Sequence, residues 1–161
     1  MLDYVYGQDE IVAPFVAQLI PHCRRGFGPN VKTIGVIDSE GWLIAGFVFH
    51  NFEPETHIIE ISGAALPNKK WCTQRTLAHI YQYPFLQLGC QMIVQRVQAS
   101  NERLLRQLAA LNYAFVRVPR LFGRNEDCVI CLLTEEDWAA NKICQRFKHH
   151  LVVEDRVERA A

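Results

Sequence analysis

The residues of this chain best placed to do chemistry are a carboxylate in an apolar strand, an amide at a helix start, and a group of bases beside a third element. Glu60 stands between Ile59 and Ile61 and shares a strand face with Ile58 and Ser62, because side chains alternate along a strand. Burial among apolar neighbours raises a carboxyl pKa, which would suit Glu60 to accept a proton near neutral pH. A Glu on a partly exposed strand, paired with a basic side chain or with water, is the other reading of the same pattern. Asn101 precedes Leu104, Leu105, Leu108, Ala109 and Leu111 on one helical face, with Glu102, Arg103, Arg106 and Gln107 on the other. An Asn there caps the helix by accepting a first-turn N–H, worth about 1 kcal/mol. The run Asn68-Lys69-Lys70-Trp71-Cys72-Thr73-Gln74-Arg75 reads as a helix start carrying positive charge and a hydroxyl. Such an end binds phosphate through its N–H groups and dipole, or is simply an ordinary helix start with solvated lysines.

Other groupings carry less. Cys128 and Cys131 have CxxC spacing, but three apart on a strand they face opposite sides, so no metal site is expected. His50 and His57 could meet across neighbouring strands, without an evident third ligand. His149 and His150 read as a solvated helix end.

The elements that must position these groups follow from periodicity. Val12, Phe15, Val16, Leu19, Ile20 and Cys23 repeat at helical spacing, with Pro14 in the first turn or at a kink. Val31 to Ile37 and Trp42 to Phe52 form a hairpin through Asp38-Ser39-Glu40-Gly41, and Thr56 to Ala65 adds a third strand, with Gly63 a candidate bulge. Pro67-Asn68 is expected to open a helix running to about Tyr83, limited by Pro84. Met92 to Ala99 is a strand, Asn101 to Leu111 a helix, and Tyr113 to Val118 and Cys128 to Leu133 are strands. Thr134-Glu135-Glu136-Asp137 caps a last helix carrying Trp138, Ile143 and Phe147, and 154–161 is a charged, frayed tail.

The strand, Asn101, Leu-rich helix and following Leu111-Asn112-Tyr113-Ala114-Phe115 resemble the second conserved motif of the GNAT N-acetyltransferases, and the order of elements along nearly the whole chain is similar to that family's. Asn112-Tyr113 stands where Gly-Phe is usual, Asn being the best non-Gly residue at a left-handed helix end. The resemblance implies a single α/β (α+β) domain over 1–161, with a mixed, mostly antiparallel sheet of about six to seven strands flanked by helices. It implies a cofactor, acetyl-CoA or another acyl-CoA, contacted by Asn101. The pantetheine arm would lie on Ser62, Gly63, Ala64 and Ala65, opened by a bulge, and the pyrophosphate on Asn68, Lys69, Lys70, Trp71, Cys72 and Thr73. That last segment has no Gly, unlike the family's usual loop. Glu60 falls where the family often carries its general base. The usual general-acid Tyr, seven residues after the motif Asn, is here Leu108.

The implied activity is N-acyl transfer to an amine by direct attack. A GNAT-fold acyl-CoA-binding or assembly protein without catalysis is the alternative. The expected partner is a small-molecule or protein amine acceptor, with a homodimer possible. Lys plus Arg and Asp plus Glu are balanced at seventeen each, which disfavours nucleic acid as a partner even through Arg103, Arg106, Arg117 and Arg120. No apolar run reaches the ~18–20 residues of a membrane span. Met1-Leu2-Asp3-Tyr4 does not begin a secretory signal. Of the six cysteines, all but Cys23 fall in segments read as helix or strand, which suits small buried hydrophobes in a reducing cytoplasm.

Overall fold

The structure is a computed structural model that describes residues 1–146; Phe147, His149, His150 and the 154–161 tail lie outside the described residues. Seven strands form one mixed sheet in the order β1-β2-β3-β4-β5-β7-β6. They are β1 (Asp3–Tyr6), β2 (Lys32–Ile37), β3 (Leu43–Glu53), β4 (Ile58–Ala65), β5 (Met92–Gln98), β6 (Ala114–Val118) and β7 (Cys128–Thr134). All neighbours pair antiparallel except β4 and β5, which run parallel. The helices are α1 (Asp9–Leu19), α2 (Gln74–Tyr81), α3 (Glu102–Ala110), α4 (Glu135–Ala140) and α5 (Lys142–Gln145).

Alternation along β3 sorts the two faces of the sheet. Phe47 and Phe49 join the larger core with Ile61, Leu77, Ile80, Leu108 and Trp138. Val48, between them, packs with Val12 and Val16 of α1 in a second cluster. Gly46 lets α1 come that close: a Cβ there would lie 2.7 Å from Val16 Cγ2. Trp138 of α4 stacks on Phe85 at 4.7 Å between centroids and closes the larger core.

Several expectations need correction. Strand β1 has no counterpart in the sequence reading, because four residues give too short an alternating run to detect. Pro14 lies inside α1, beyond its first turn. Asn68 adopts φ +61°, which no right-handed helix accommodates, so no helix opens at Pro67-Asn68. Helix α2 starts six residues later, where the Thr73 hydroxyl accepts the Thr76 N–H at 3.1 Å. It does not stop before Pro84. A wider turn spans Gln82–Gln87, with Leu88 N–H bonded to Tyr83 O at 2.9 Å, and absorbs the missing proline N–H. Gly63 is not a bulge, since pairing with β3 is regular from Ala45↔Ala65 to His50↔Glu60. The register shift lies beyond, between His50 and Glu53, where Asn51 takes φ +52°. Gly63 instead makes room for Phe47, whose Cδ1 lies 2.5 Å from where a Cβ would stand.

The last helix is broken at Asn141, whose extended ψ of 113° ends α4 and whose side chain caps α5 through Ile143 N and Cys144 N. Cys72 and Cys90 sit in loops, not in helix or strand. Among the described residues no helix is long and apolar enough to cross a membrane.

Candidate active site

The site begins where the parallel pair comes apart. β4 and β5 are in register only at Ile58↔Met92, Ile59↔Ile93 and Glu60↔Val94. Beyond Glu60, β4 continues to Ala65 held by β3 alone, and β5 continues held by β7 alone. The β5-side edge of Ile61–Ala65 therefore presents backbone N–H and C=O groups to an opening in the sheet. A groove of about 520 Å³ lies on the α2 face of that opening. A recess of about 370 Å³ lies on the α1 face. Ile61, Gly63–Ala65, Pro67, Gln95, Asn101 and Leu104 line both, so the two spaces flank the same opening from opposite faces of the sheet.

Most of the expected cofactor residues converge on the groove: Gly63, Ala64, Ala65, Asn68, Lys69, Lys70, Trp71, Cys72 and Asn101 all line it. Ser62 does not. It points to the α1 face, lines the recess, and shares a hydrogen bond of 2.8 Å with His50 Nε2. Thr73 lines neither space, because its hydroxyl is spent capping α2 and contacting Thr76 Oγ1 at 3.0 Å. Trp71, bulky for a phosphate loop, is turned against Phe47 at 5.2 Å. Lys69 reaches Asp38 of the β2–β3 turn at 3.3 Å, and Arg75 lies over the Tyr4 ring, away from the groove.

Asn101 caps α3 as its position demands, Oδ1 accepting Leu104 N–H at 3.3 Å, which leaves Nδ2 as a donor. Asn112 takes φ +70° at the other end of the helix, the left-handed role the sequence assigns it. Arg103 and Gln107, on the polar face of α3, also line the groove. Their spacing after Asn101 was the available signal, since i+2 and i+6 bracket the face next to the cap. Leu108 is buried at the groove wall. Tyr81 reaches the same wall from α2, and its hydroxyl bonds Tyr113 Oη at 2.9 Å, which also accepts Gln95 Nε2–H at 2.7 Å. Burial pushes both phenols well above their ordinary pKa, so both stay protonated. Long-range pairing of this kind has no sequence signature.

Glu60 lies on the α1 face, its side chain 13% exposed. Asn51 Nδ2 donates to Oε2 at 3.0 Å and Arg96 Nε to Oε1 at 2.8 Å. Desolvation pushes the carboxyl up, but these two bonds and the charges of His50 and Arg96 outweigh it, and the pKa falls below the ordinary value. The expected upward shift is thus reversed, by Asn51 of β3 first and then Arg96 of β5, partners that alternation could not show. Two neighbours complete this face. His22, in the single turn Pro21–Cys23 after α1, lines the recess and stacks on Phe122 at 4.0 Å. Burial, then the charge of Arg96, holds His22 below its ordinary pKa, with Glu60 opposing. Burial likewise lowers His50, with Glu60 opposing and Arg96 assisting. Among the described residues no group of three His, Cys, Asp or Glu is placed to hold a metal.

No family model matches the sequence, and no curated protein matches it. Solved structures do match the fold. The dodecameric spermidine N-acetyltransferase from Vibrio cholerae in its intermediate state superposes with a TM-score of 0.69 at 12% identity, covering 88% of this chain and 98% of that one. The spermidine/spermine N-acetyltransferase SpeG from the same organism, in complex with manganese ions, gives 0.67 at 13% identity, covering 88% and 96%. On that likeness this chain, with its seven-strand mixed sheet, has the fold of the GNAT N-acetyltransferases.

Proposed function

We propose that this chain is a one-domain, cytoplasmic N-acyltransferase that uses acetyl-CoA or another acyl-CoA and transfers the acyl group directly to an amine. The observation that carries this reading is the opened β4–β5 pair, with the groove on one face of it and the recess on the other. One face can hold a coenzyme and the other an acceptor, with the reacting atoms meeting between them. Acyl-CoA, when bound, supplies an activated thioester.

The residues present fit such a group. The unpaired edge of Ile61–Ala65 matches the amides of an extended arm, as an added strand would. Asn101 Nδ2 is a donor beside it. Asn68, Lys69, Lys70, Trp71 and Cys72 form the wall nearest α2, where the two lysines, with Arg103 opposite, offset phosphate charge. Thr73 acts only as the α2 cap, and Ser62 serves the acceptor face. Glu60 lines neither groove nor recess, so as the base in this reading it takes the proton that the amine must lose through an intervening water. All six cysteines are free thiols and five are buried, which accords with a reducing compartment. A second copy is the partner we assign to the outer strand β6, whose Phe115 and Val116 are exposed.

Calorimetry with acetyl-CoA and desulfo-CoA tests the coenzyme: absence of binding at millimolar ligand would sink the reading. Thiol release with a panel of amines then tests the chemistry. Leu108, where the family's acid is expected, favours one second reading, a coenzyme-binding protein without turnover; binding with no thiol release from any amine would establish it.

A further inference from the structure

We propose that the recess on the α1 face takes a small amine carrying a carboxylate, and that Arg96 and His22 hold that carboxylate. The inference rests on the acyltransferase reading and adds the class of acceptor. Among the described residues lining the recess, Arg96 is the one permanently charged side chain, and no Asp or Glu lines it. Glu60 stands behind Arg96, with each carboxylate oxygen already bonded, one to Arg96 Nε and one to Asn51. That bond uses the inner edge of the guanidinium. The two terminal nitrogens make no hydrogen bond among the described residues, and the Arg96 side chain is 40% exposed. A guanidinium edge of this kind is shaped for a carboxylate.

His22 supplies a second donor. Its Nδ1 is buried and has no hydrogen-bond partner. A bare ring nitrogen in that position costs less than an orphaned N–H, so the proton belongs on Nε2. The ring lines the recess, and Nε2 is the nitrogen left to donate. An imidazole in that tautomer donates to an anion and is not arranged to take a proton at Nε2.

The lining also sets polarity. With Arg96 on the wall and no carboxylate beside it, the recess is complementary to the anionic end of a substrate. A polycation would instead meet the guanidinium with no wall carboxylate to offset it, a repulsion that a partly desolvated recess enlarges. The volume, about 370 Å³, suits a molecule of amino-acid size.

The test compares each of the common amino acids with its own carboxamide, alongside spermidine and O-phosphoethanolamine, as acceptors for acetyl-CoA. In parallel, calorimetry compares N-acetyl amino acids with the matching N-acetyl amides. At least one amino acid should exceed its amide by tenfold or more in kcat/KM. Arg96→Lys, which leaves Glu60 a cationic partner, should cut that ratio below about threefold while acetyl-CoA binding persists. His22→Phe, which keeps the stack on Phe122, should reduce the ratio in the same direction. Spermidine or the phosphate amine as the best acceptor, or acid and amide used equally, would overturn the assignment. If no amine turns over, the calorimetric pair decides, and equal or absent binding of acid and amide rejects it. Loss of acetyl-CoA binding alone would fail the acyltransferase reading and leave the calorimetric comparison to judge the recess.

Discussion

In the proposed reaction Glu60 serves both stability and proton removal, and pH separates the two roles. Its folded-state pKa lies below the ordinary value of 4.5. Its bonds to Arg96 and Asn51 therefore stabilise the fold above about pH 4.5, and that contribution is lost as pH falls through the lower folded value. Glu60→Gln should be less stable than wild type at pH 7 by roughly 1.5–3 kcal/mol, the worth of hydrogen bonds to a charged group. The gap should narrow as pH falls below 4.5 and through the lower folded value; urea titrations at pH 7 and down the acid range check this. The same variant should lose most thiol release at pH 7, and an unchanged rate would remove Glu60 from the mechanism. Asn101 allows a cleaner separation. Asn101→Ser keeps an oxygen to cap α3, so stability should hold within about 0.5 kcal/mol. It removes Nδ2, and acetyl-CoA affinity should fall about fivefold, the worth of one ~1 kcal/mol hydrogen bond. Equal affinity by calorimetry would mean that Asn101 only caps.

At the scale of elements, the loop from Leu66 to Thr73 is where local and tertiary forces part. The Lys-rich run carries helix-compatible residues, so a helix from Pro67 is a reasonable expectation. A left-handed Asn68 and the Thr73–Thr76 bond decide otherwise, and neither is visible in periodicity. Thr73→Ala should cost about 1 kcal/mol of stability. Because Thr73 lines neither groove nor recess, it should leave acetyl-CoA affinity within twofold; a larger loss would return Thr73 to the coenzyme wall. The strands were legible because β2, β3, β4, β5 and β7 combine apolar runs with clear turn residues, such as Asp38, whose carboxylate takes the N–H of Glu40 and Trp42. Strand β1 was not, being four residues long. On the groove, Gly63, Ala64, Ala65 and Asn101 are reached through the family resemblance, whereas Arg103 and Gln107 of α3 are not, although their spacing after Asn101 carries the signal. Arg96 and His22 were not legible, because each enters through a contact far along the chain.

At the scale of the whole molecule, β6 is an outer strand of the sheet. Among the described residues it pairs only with β7, and its Phe115 and Val116 are 40% and 50% exposed. An outer strand with apolar side chains on both faces is a template for another strand unless charge or proline blocks it. Its one charged side chain, Arg117, is drawn to Asp127 at 2.9 Å and so does little to block it. Two copies meeting β6 to β6 across a twofold axis would run antiparallel and bury the same patch twice, which closes the assembly at two. The opened β4–β5 pair lies two strands away, so such a dimer leaves groove and recess accessible. Light scattering at about 100 μM should give the mass of two chains, and Val116→Lys should return one chain with its melting temperature nearly unchanged, since the residue is exposed. A single-chain mass for the wild type at that concentration, or a Val116→Lys protein that still pairs, would show that β6 is not where copies meet.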